Sequence, residues 1–241
     1  MSWRRVFRLI CLPYAGGGSP IFRAWGSRLP KQIEVLPIEL PGRLSRIREK
    51  PISNMNSLVD FLLGQIHPFL DEPFAIFGHS MGALAAFETA RALRRRFGCT
   101  PRKLFIAAHR APQIPSHTPP IHKLPDKDFF RQLEKLGGTP AEILKNEELM
   151  KLMLPTLRAD FECIETYRYQ PEPPLECPLL VCGGLQDSEV REAELEDWRS
   201  QTSSSFSLHM LPGNHFFIQS HREALLETIS TDLAHLAKDQ S

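Results

Sequence analysis

A serine between two glycines is the feature of this sequence that most directly suggests catalysis. Gly78, Ser80 and Gly82 lie in the segment FAIFGHSMGALAAFE, where an apolar run of strand type is followed at once by a helical pattern. On such a turn the serine hydroxyl is held out at the end of a strand, and the glycines avoid clashes between strand and helix. The pattern predicts a nucleophilic Ser80; the alternative is an ordinary structural turn.

A serine hydroxyl is a weak nucleophile, so it needs a histidine as base and a carboxylate that orients the base. In enzymes with this turn, the acid and then the histidine follow the serine along the chain. His215, in the loop LPGNHFFI after the last predicted strand, is the predicted base, and Asp187, after PLLVCGGLQ, is the predicted acid. The remaining histidines are expected to be surface or structural groups. Asp160 and Asp197 fall in predicted helices, so we expect them to be solvated or to cap helices.

Acyl transfer at a serine also requires fixed N–H donors for the oxyanion that develops on the substrate. One predicted donor is the backbone N–H of Met81, the residue after the nucleophile. The other is predicted in LPYAGGGSP, because the glycines at 16–18 allow this backbone to approach a ligand closely. We assign it to Ala15, with Tyr14 as the alternative; a merely flexible turn is the simpler interpretation.

An alternation of strand and helix patterns must position these groups. Strands are predicted at 6–12, 33–40, 74–78, 103–108, 178–184 and 205–211. Helices are predicted near 20–29, 56–70, 81–97, 189–200 and 221–237. This alternation predicts an α/β fold, a mostly parallel sheet with helices on both faces. Ligands bind beyond the carboxyl ends of the strands in such a sheet, where the candidate groups lie.

The alternation stops between about residues 113 and 177. Proline-rich segments bracket this stretch, and the signals inside it are helical, with a further helix start at Thr139 and Pro140. The stretch is either a helical decoration of the sheet or a lid over the site, and its place between two strands favours the lid. Its apolar faces are predicted to line or cover the substrate chamber through Phe129, Leu133, Leu152, Met153 and Phe161.

Length and composition narrow the class of protein. The 241 residues, 42% of them hydrophobic, can bury the core of one α/β domain, so a single domain over 1–241 is predicted. A formal net charge of +1 gives no general attraction to nucleic acid or to an anionic membrane. No apolar run approaches the roughly 18 residues of a membrane span. Five cysteines without C-x-x-C spacing indicate a reducing compartment, so we expect a cytoplasmic location and no metal site. Nothing in the sequence demands more than a monomer, so a monomer is expected.

Five blocks of the sequence, found in order from about Leu9 to Ile218, together resemble one enzyme family. They are CLPYAGGGSPIFRAW, IELPGRLSRIREKP, GHSMGALAAFE, LGGTPAEILKNEELMKLMLPTLRADFECIETYRY and LPGNHFFI. The set resembles the type II thioesterases that accompany polyketide and nonribosomal peptide synthases, which are related to the free medium-chain thioesterases of fatty acid synthesis. The resemblance implies an α/β-hydrolase that hydrolyses acyl thioesters held on the phosphopantetheine arm of an acyl or peptidyl carrier protein. It also assigns the roles of nucleophile, acid and base to Ser80, Asp187 and His215, and no metal or organic cofactor is implied.

The segment PGRLSRIREK suggests how a carrier protein is met. Arg43 and Arg46 are predicted to contact an acidic carrier protein or the phosphate of its arm; the alternative is a run of solvated charges. Two other functions remain open. A general acyl-CoA thioesterase or carboxylesterase of the same fold would share the three catalytic groups, and a preference for oxygen esters would select the esterase. A non-catalytic binding module would leave Ser80 unlabelled by a fluorophosphonate.

Overall fold

A parallel sheet of six strands forms the centre of the fold. The structure is a computed structural model, and it describes residues 7–138 and 146–238 together with Glu142. The strands are β1 (Phe7–Leu12), β2 (Ile33–Pro37), β3 (Phe74–His79), β4 (Leu104–Ala107), β5 (Leu179–Gly184) and β6 (Phe206–Leu211). They lie in the order β2-β1-β3-β4-β5-β6, and every neighbouring pair is parallel. The loops that follow β1, β3, β5 and β6 therefore meet at one edge of the sheet.

Helices pack on both faces of this sheet, which confirms the predicted fold class. They are α1 (Met55–Ile66), α2 (Met81–Phe97), α3 (Asp126–Leu136), α4 (Glu147–Glu165), α5 (Glu192–Glu196), α6 (Phe217–Ser220) and α7 (Arg222–Lys238). One buried cluster joins α1 and α2 to Ile10 and Ile76, while a second joins α7 to Leu9 and Phe77. Successive residues of β1 and β3 belong to different clusters, so both faces of these strands are buried. This explains why their sequences are continuous apolar runs.

The predicted elements that differ from the structure lie outside the central strands. In place of a helix at 20–29 there are two 3₁₀ helices, Ser19–Phe22 and Trp25–Ser27. Phe22 and Trp25 are both buried, so packing of these rings and not helix periodicity decides the local path. The helix predicted at 189–200 is α5 followed by a 3₁₀ turn. The helix start predicted at Thr139 and Pro140 lies outside the described residues.

The stretch between β4 and β5 contains α3 and α4, which share a small core of their own. Phe129, Leu133, Met150 and Leu157 are buried together there. Arg158 of α4 ties the segment before α3 in place, because it donates to the carbonyl oxygen of Leu124 at 2.7 Å. Movement of these helices as a lid stays a prediction. Among the described residues, no helix has the length and apolar character that a membrane-spanning segment needs.

Candidate active site

Ser80 occupies a strained turn between β3 and α2. Its φ of 53° is in the left-handed region that a residue with a side chain rarely adopts. The turn is tight enough that a Cβ on Gly78 would lie 2.0 Å from the carbonyl oxygen of Gly82, and a Cβ on Gly82 would lie 2.3 Å from that of Leu12. Only glycine fits at both places, which explains the spacing of the motif.

Ser80, His215 and Asp187 form one hydrogen-bonded chain, contributed by the loops after β3, β6 and β5. His215 Nε2 lies 3.0 Å from Ser80 Oγ, and His215 Nδ1 lies 2.9 Å from Asp187 Oδ2. The second carboxylate oxygen of Asp187 accepts from the N–H groups of Glu189, at 2.8 Å, and Val190, at 3.2 Å. The Asp187 oxygen beside His215 accepts the proton that the ring carries on Nδ1, which leaves Nε2 free to accept from Ser80.

Two further histidines lie beside this chain. His79 is buried, and its Nε2 lies 2.8 Å from the carbonyl oxygen of His215. Burial, and secondarily the nearby His215 ring, hold the pKa of His79 well below its usual value. A neutral His79 can therefore donate from Nε2 and support the loop that carries the predicted base.

His109 lies in the wall of the cleft that contains Ser80 and His215, although nothing in its local sequence pattern marks it. It is buried and follows β4 directly, and its Nδ1 lies 2.6 Å from the carbonyl oxygen of Arg110. Burial first, and then the charge of Arg110, lower the pKa of His109 to about 3. The only available signal was its position at the carboxyl end of a predicted strand.

The predicted oxyanion donors flank the nucleophile. Met81 is the first residue of α2, where backbone N–H groups have no partner inside the helix. Ala15 and Tyr14 line the cleft together with Ser80 and His215. The register of the sheet places them there, since Leu12 at the end of β1 pairs with Gly78 at the end of β3. Both Ala15 and Tyr14 therefore stay candidates for the second donor.

Two cavities meet at the loop after β1. The cleft around Ser80 has a volume of about 160 Å³, and Phe161 of α4 is in its wall. A mainly apolar neighbour of about 510 Å³ is lined by Leu152 and Met153 of α4 and shares Tyr14 and Ala15 with the cleft. The remaining predicted chamber residues, Phe129 and Leu133, lie in the core between α3 and α4 and line neither cavity. Their predicted role in lining or covering the chamber stays a prediction, and the structure shows each packed against the neighbouring helix of the insertion.

The structure gives Arg43 a buried ion-pair partner, and its predicted contact with a carrier protein or with the phosphate of the arm stays a prediction. Arg43 is 6% exposed and its guanidinium pairs with Asp160, with Nη2 2.7 Å from Oδ1. A buried cation held in this way offers little surface to a carrier protein, although Arg43 does line the cavity of about 510 Å³. Arg46 is more exposed and pairs with Glu49 at 2.7 Å, so its contact with a carrier protein stays a prediction.

Asp160 is buried as well, at 2% exposure, which corrects the expectation of a solvated or capping group. Burial raises the pKa of its carboxyl, while Arg43 and the Gly16 N–H oppose that shift. The sequence did carry a signal. Asp160 falls within the apolar stripe formed by Leu157, Phe161 and Ile164, and an acid in such a stripe requires a buried partner.

Comparisons with known proteins agree with this geometry. A family model described as a thioesterase domain matches residues 7–233. The protein named linear gramicidin dehydrogenase LgrE, from Brevibacillus parabrevis, is 45% identical over 93% of this chain and 87% of its own. Among solved structures, the RedJ thioesterase from the prodiginine pathway in Streptomyces coelicolor is 38% identical with a TM-score of 0.87, over 93% of this chain and 85% of its own. YbtT, a type II thioesterase from the yersiniabactin NRPS/PKS pathway, is 32% identical with a TM-score of 0.84, over 98% of this chain and 95% of its own.

Proposed function

The chain belongs to the thioesterase family, and we propose that it is a type II thioesterase of a polyketide or nonribosomal peptide synthase system. Its substrates are acyl thioesters on the phosphopantetheine arm of an acyl or peptidyl carrier protein. The observation that carries the proposal is the hydrogen-bonded chain from Ser80 through His215 to Asp187 at the mouth of a cleft. The pathways named for RedJ and YbtT support the class of partner.

Acylation begins when Ser80 Oγ attacks the thioester carbonyl and His215 Nε2 takes the hydroxyl proton. The N–H groups of Met81 and Ala15 stabilise the oxyanion, and the Asp187 carboxylate stabilises the imidazolium. The C–S bond then breaks, the acyl group stays on Ser80, and the departing sulfur takes the proton from His215. Because a thiolate leaves readily, this step requires less help from an acid than the cleavage of an oxygen ester.

Deacylation repeats the sequence with water as the nucleophile. His215 takes a proton from water, the resulting hydroxide attacks the acyl-serine carbonyl, and Ser80 recovers its proton as the free acid is released. Both steps use groups of this chain alone, and we propose that no metal or organic cofactor takes part. Dialysis against EDTA is therefore expected to leave the rate unchanged, and a loss that added metal restores would contradict the proposal.

The name of LgrE refers to a dehydrogenase, whereas RedJ and YbtT are named as thioesterases. In this chain the strained turn and the bond from Ser80 Oγ to His215 Nε2 favour hydrolysis, because together they activate a hydroxyl for attack on a carbonyl. The five cysteines are all free, which supports the proposed cytoplasmic location.

The experiment that tests this function compares two forms of the same acyl group. Acetyl and propionyl groups are presented on a phosphopantetheinylated carrier protein and on coenzyme A, with Ser80→Ala alongside. We expect hydrolysis that depends on Ser80 and is faster from the carrier protein. Equal or faster hydrolysis of the coenzyme A thioesters, or of simple oxygen esters, would instead indicate a general acyl hydrolase with the same catalytic groups.

A further inference from the structure

We infer that Arg43 and Asp160 are positioning residues that hold the glycine loop, residues 14–18, in the shape that presents the second oxyanion donor. The inference rests on the proposed function, since it presupposes an oxyanion at Ser80. Neither residue lines the cleft that contains Ser80, so neither touches the reacting atoms there, and both act on the oxyanion site through the loop backbone. Arg43 also lines the neighbouring cavity of about 510 Å³, whereas Asp160 does not.

The contacts between the ion pair and the glycine loop are direct. Asp160 Oδ2 accepts a hydrogen bond from the Gly16 N–H at 2.7 Å, while Asp160 Oδ1 accepts from Arg43 Nη2, also at 2.7 Å. Arg43 Nη1 donates to the carbonyl oxygen of Gly17 at 2.8 Å. One N–H and one C=O of the loop are thus held by two side chains that also hold each other.

The contact to Gly16 controls the neighbouring Ala15. The Gly16 nitrogen belongs to the rigid peptide plane that begins at the Ala15 carbonyl, so anchoring this nitrogen restrains ψ of Ala15 and the backbone around it. Glycine is the residue with the greatest backbone freedom, and Gly16, at a φ of 76°, is in the left-handed region. Three successive glycines without restraint would sample many shapes, whereas an oxyanion donor is effective only when it is fixed in advance.

Stability alone does not explain the ion pair. The side chains of Arg43 and Asp160 are 7% and 3% exposed, and the cost of removing two such charges from water offsets most of their attraction. Apolar side chains of similar volume often stabilise a core as well as a buried pair does. Apolar side chains, however, have no groups that can hold the Gly16 N–H and the Gly17 carbonyl.

The same pair joins α4 to the active site. Asp160 is on α4, and one turn earlier Thr156 Oγ1 donates to the carbonyl oxygen of Gly42, beside Arg43, at 2.5 Å. Through these contacts the position of α4 and the shape of the glycine loop are linked. The helix of the insertion therefore contributes to the oxyanion site as well as to the walls of the cavities.

The main test variant is Asp160→Asn. An asparagine has one oxygen and one NH₂ group. Whichever way its amide is turned, the NH₂ group points at another donor, either the Gly16 N–H or the guanidinium of Arg43. We expect kcat/KM to fall by about 10- to 100-fold, less than the roughly 10²- to 10³-fold loss when a donor is removed, because the donor is displaced but still present. The KM for the carrier thioester is expected to stay within about twofold, since substrate contacts are unchanged.

A second variant and a matched control make the test independent of stability. Arg43→Lys keeps the charge opposite Asp160, but a single ammonium does not reproduce the fork that also reaches Gly17, so an intermediate loss is expected. Glu172→Gln is the control. It makes the same change from carboxylate to amide in another group of ion pairs, where Glu172 meets Arg91 at 2.8 Å and also pairs with Arg94 and Arg95, and it does not contact the glycine loop.

The readout is the rate at which a fluorophosphonate labels Ser80, measured with the full chain beside its thermal unfolding midpoint. The phosphoryl oxygen of this probe occupies the oxyanion site during the reaction. We expect Asp160→Asn to label at least about tenfold more slowly, Arg43→Lys to be intermediate, and Glu172→Gln to stay within about twofold of the unmodified chain.

Labelling of both loop variants at the unmodified rate would overturn the inference and leave the proposed function standing. The inference is also overturned if the losses follow the unfolded fraction of each variant. If Asp160→Asn does not fold, Arg43→Lys decides; failure of both to fold would assign the pair to stability alone. Absence of labelling at Ser80 in the unmodified chain would instead reject the proposed function.

Discussion

Replacement of Asp187 by asparagine is a sharp test of how the structure orients the predicted base. Asp187 Oδ1 accepts two backbone N–H bonds, from Glu189 and Val190, and Oδ2 faces His215 Nδ1. An asparagine keeps its oxygen toward the two backbone donors and turns its NH₂ group toward His215. The ring then carries its proton on Nε2, where it is unable to accept the proton of Ser80.

The size of the effect follows from two terms. Turning the amide around would exchange two accepted bonds for one, a difference of about 1–2 kcal/mol, so the productive tautomer falls to roughly a tenth. The carboxylate also stabilises the imidazolium of the transition state. For charges about 4 Å apart at an effective dielectric near 20, this is about 4 kcal/mol, or roughly a thousandfold in rate. The expected loss in kcat is therefore about 10⁴-fold.

The assay is single-turnover release of an acetyl group from carrier protein, with Asp187→Ala measured in parallel. Alanine has no donor that imposes the wrong tautomer, so we expect asparagine to be no more active than alanine. The unfolding midpoints of both variants identify any loss that comes from misfolding. If folded Asp187→Asn kept more than about a tenth of the activity, the tautomer argument and the role of Asp187 would both be refuted.

Other substitutions test the turn, the cavities and the docking hypothesis. Gly82→Ala places a Cβ 2.3 Å from the carbonyl oxygen of Leu12, so it should lower the free energy of unfolding by at least about 1–3 kcal/mol, measured by denaturant titration, and slow Ser80 labelling. Leu152→Trp fills part of the 510 Å³ cavity and should reduce the preference for long acyl chains in a chain-length series, whereas Leu149→Trp, outside the cavity lining, should not. Arg46→Glu should raise KM for carrier protein and not for the coenzyme A thioester in parallel kinetic assays.

Each of these predictions has a contradicting result. Unchanged stability of Gly82→Ala would mean that the turn relaxes easily. If Leu152→Trp and the unmodified chain had the same chain-length preference, the larger cavity would not be the site that binds the acyl chain. Equal changes in KM for the carrier and coenzyme A substrates would show that Arg46 takes no part in carrier docking.

The central strands and the nucleophile turn could be predicted because their signals are local. FAIFGH is buried on both faces and is followed at once by a helix, so the change in periodicity marks the end of β3 near Ser80. His215 and Asp187 follow the ends of later strands, and parallel pairing brings those ends to one edge of the sheet. The order of the elements was therefore enough to place these residues near one another.

The parts that were missed depend on contacts between distant segments. Arg43 lies in a charged segment that resembles a solvated loop, and its partner, Asp160, is 117 positions away. No local pattern joins them. Phe129 and Leu133 form a clear apolar face of α3, but periodicity does not tell whether that face meets the substrate chamber or a neighbouring helix. The structure shows that it meets α4.

The central claim is that thioester hydrolysis passes through an acyl group on Ser80. The most direct measurement is rapid acid quenching of the chain with acetyl-carrier protein within one turnover, followed by peptide mass spectrometry. We predict an acetyl adduct on the peptide that contains Ser80, which decays as acetate appears and is absent from Ser80→Ala. Acetate release at an unchanged rate from Ser80→Ala, or an adduct on another residue that decays at the rate of turnover, would contradict the account.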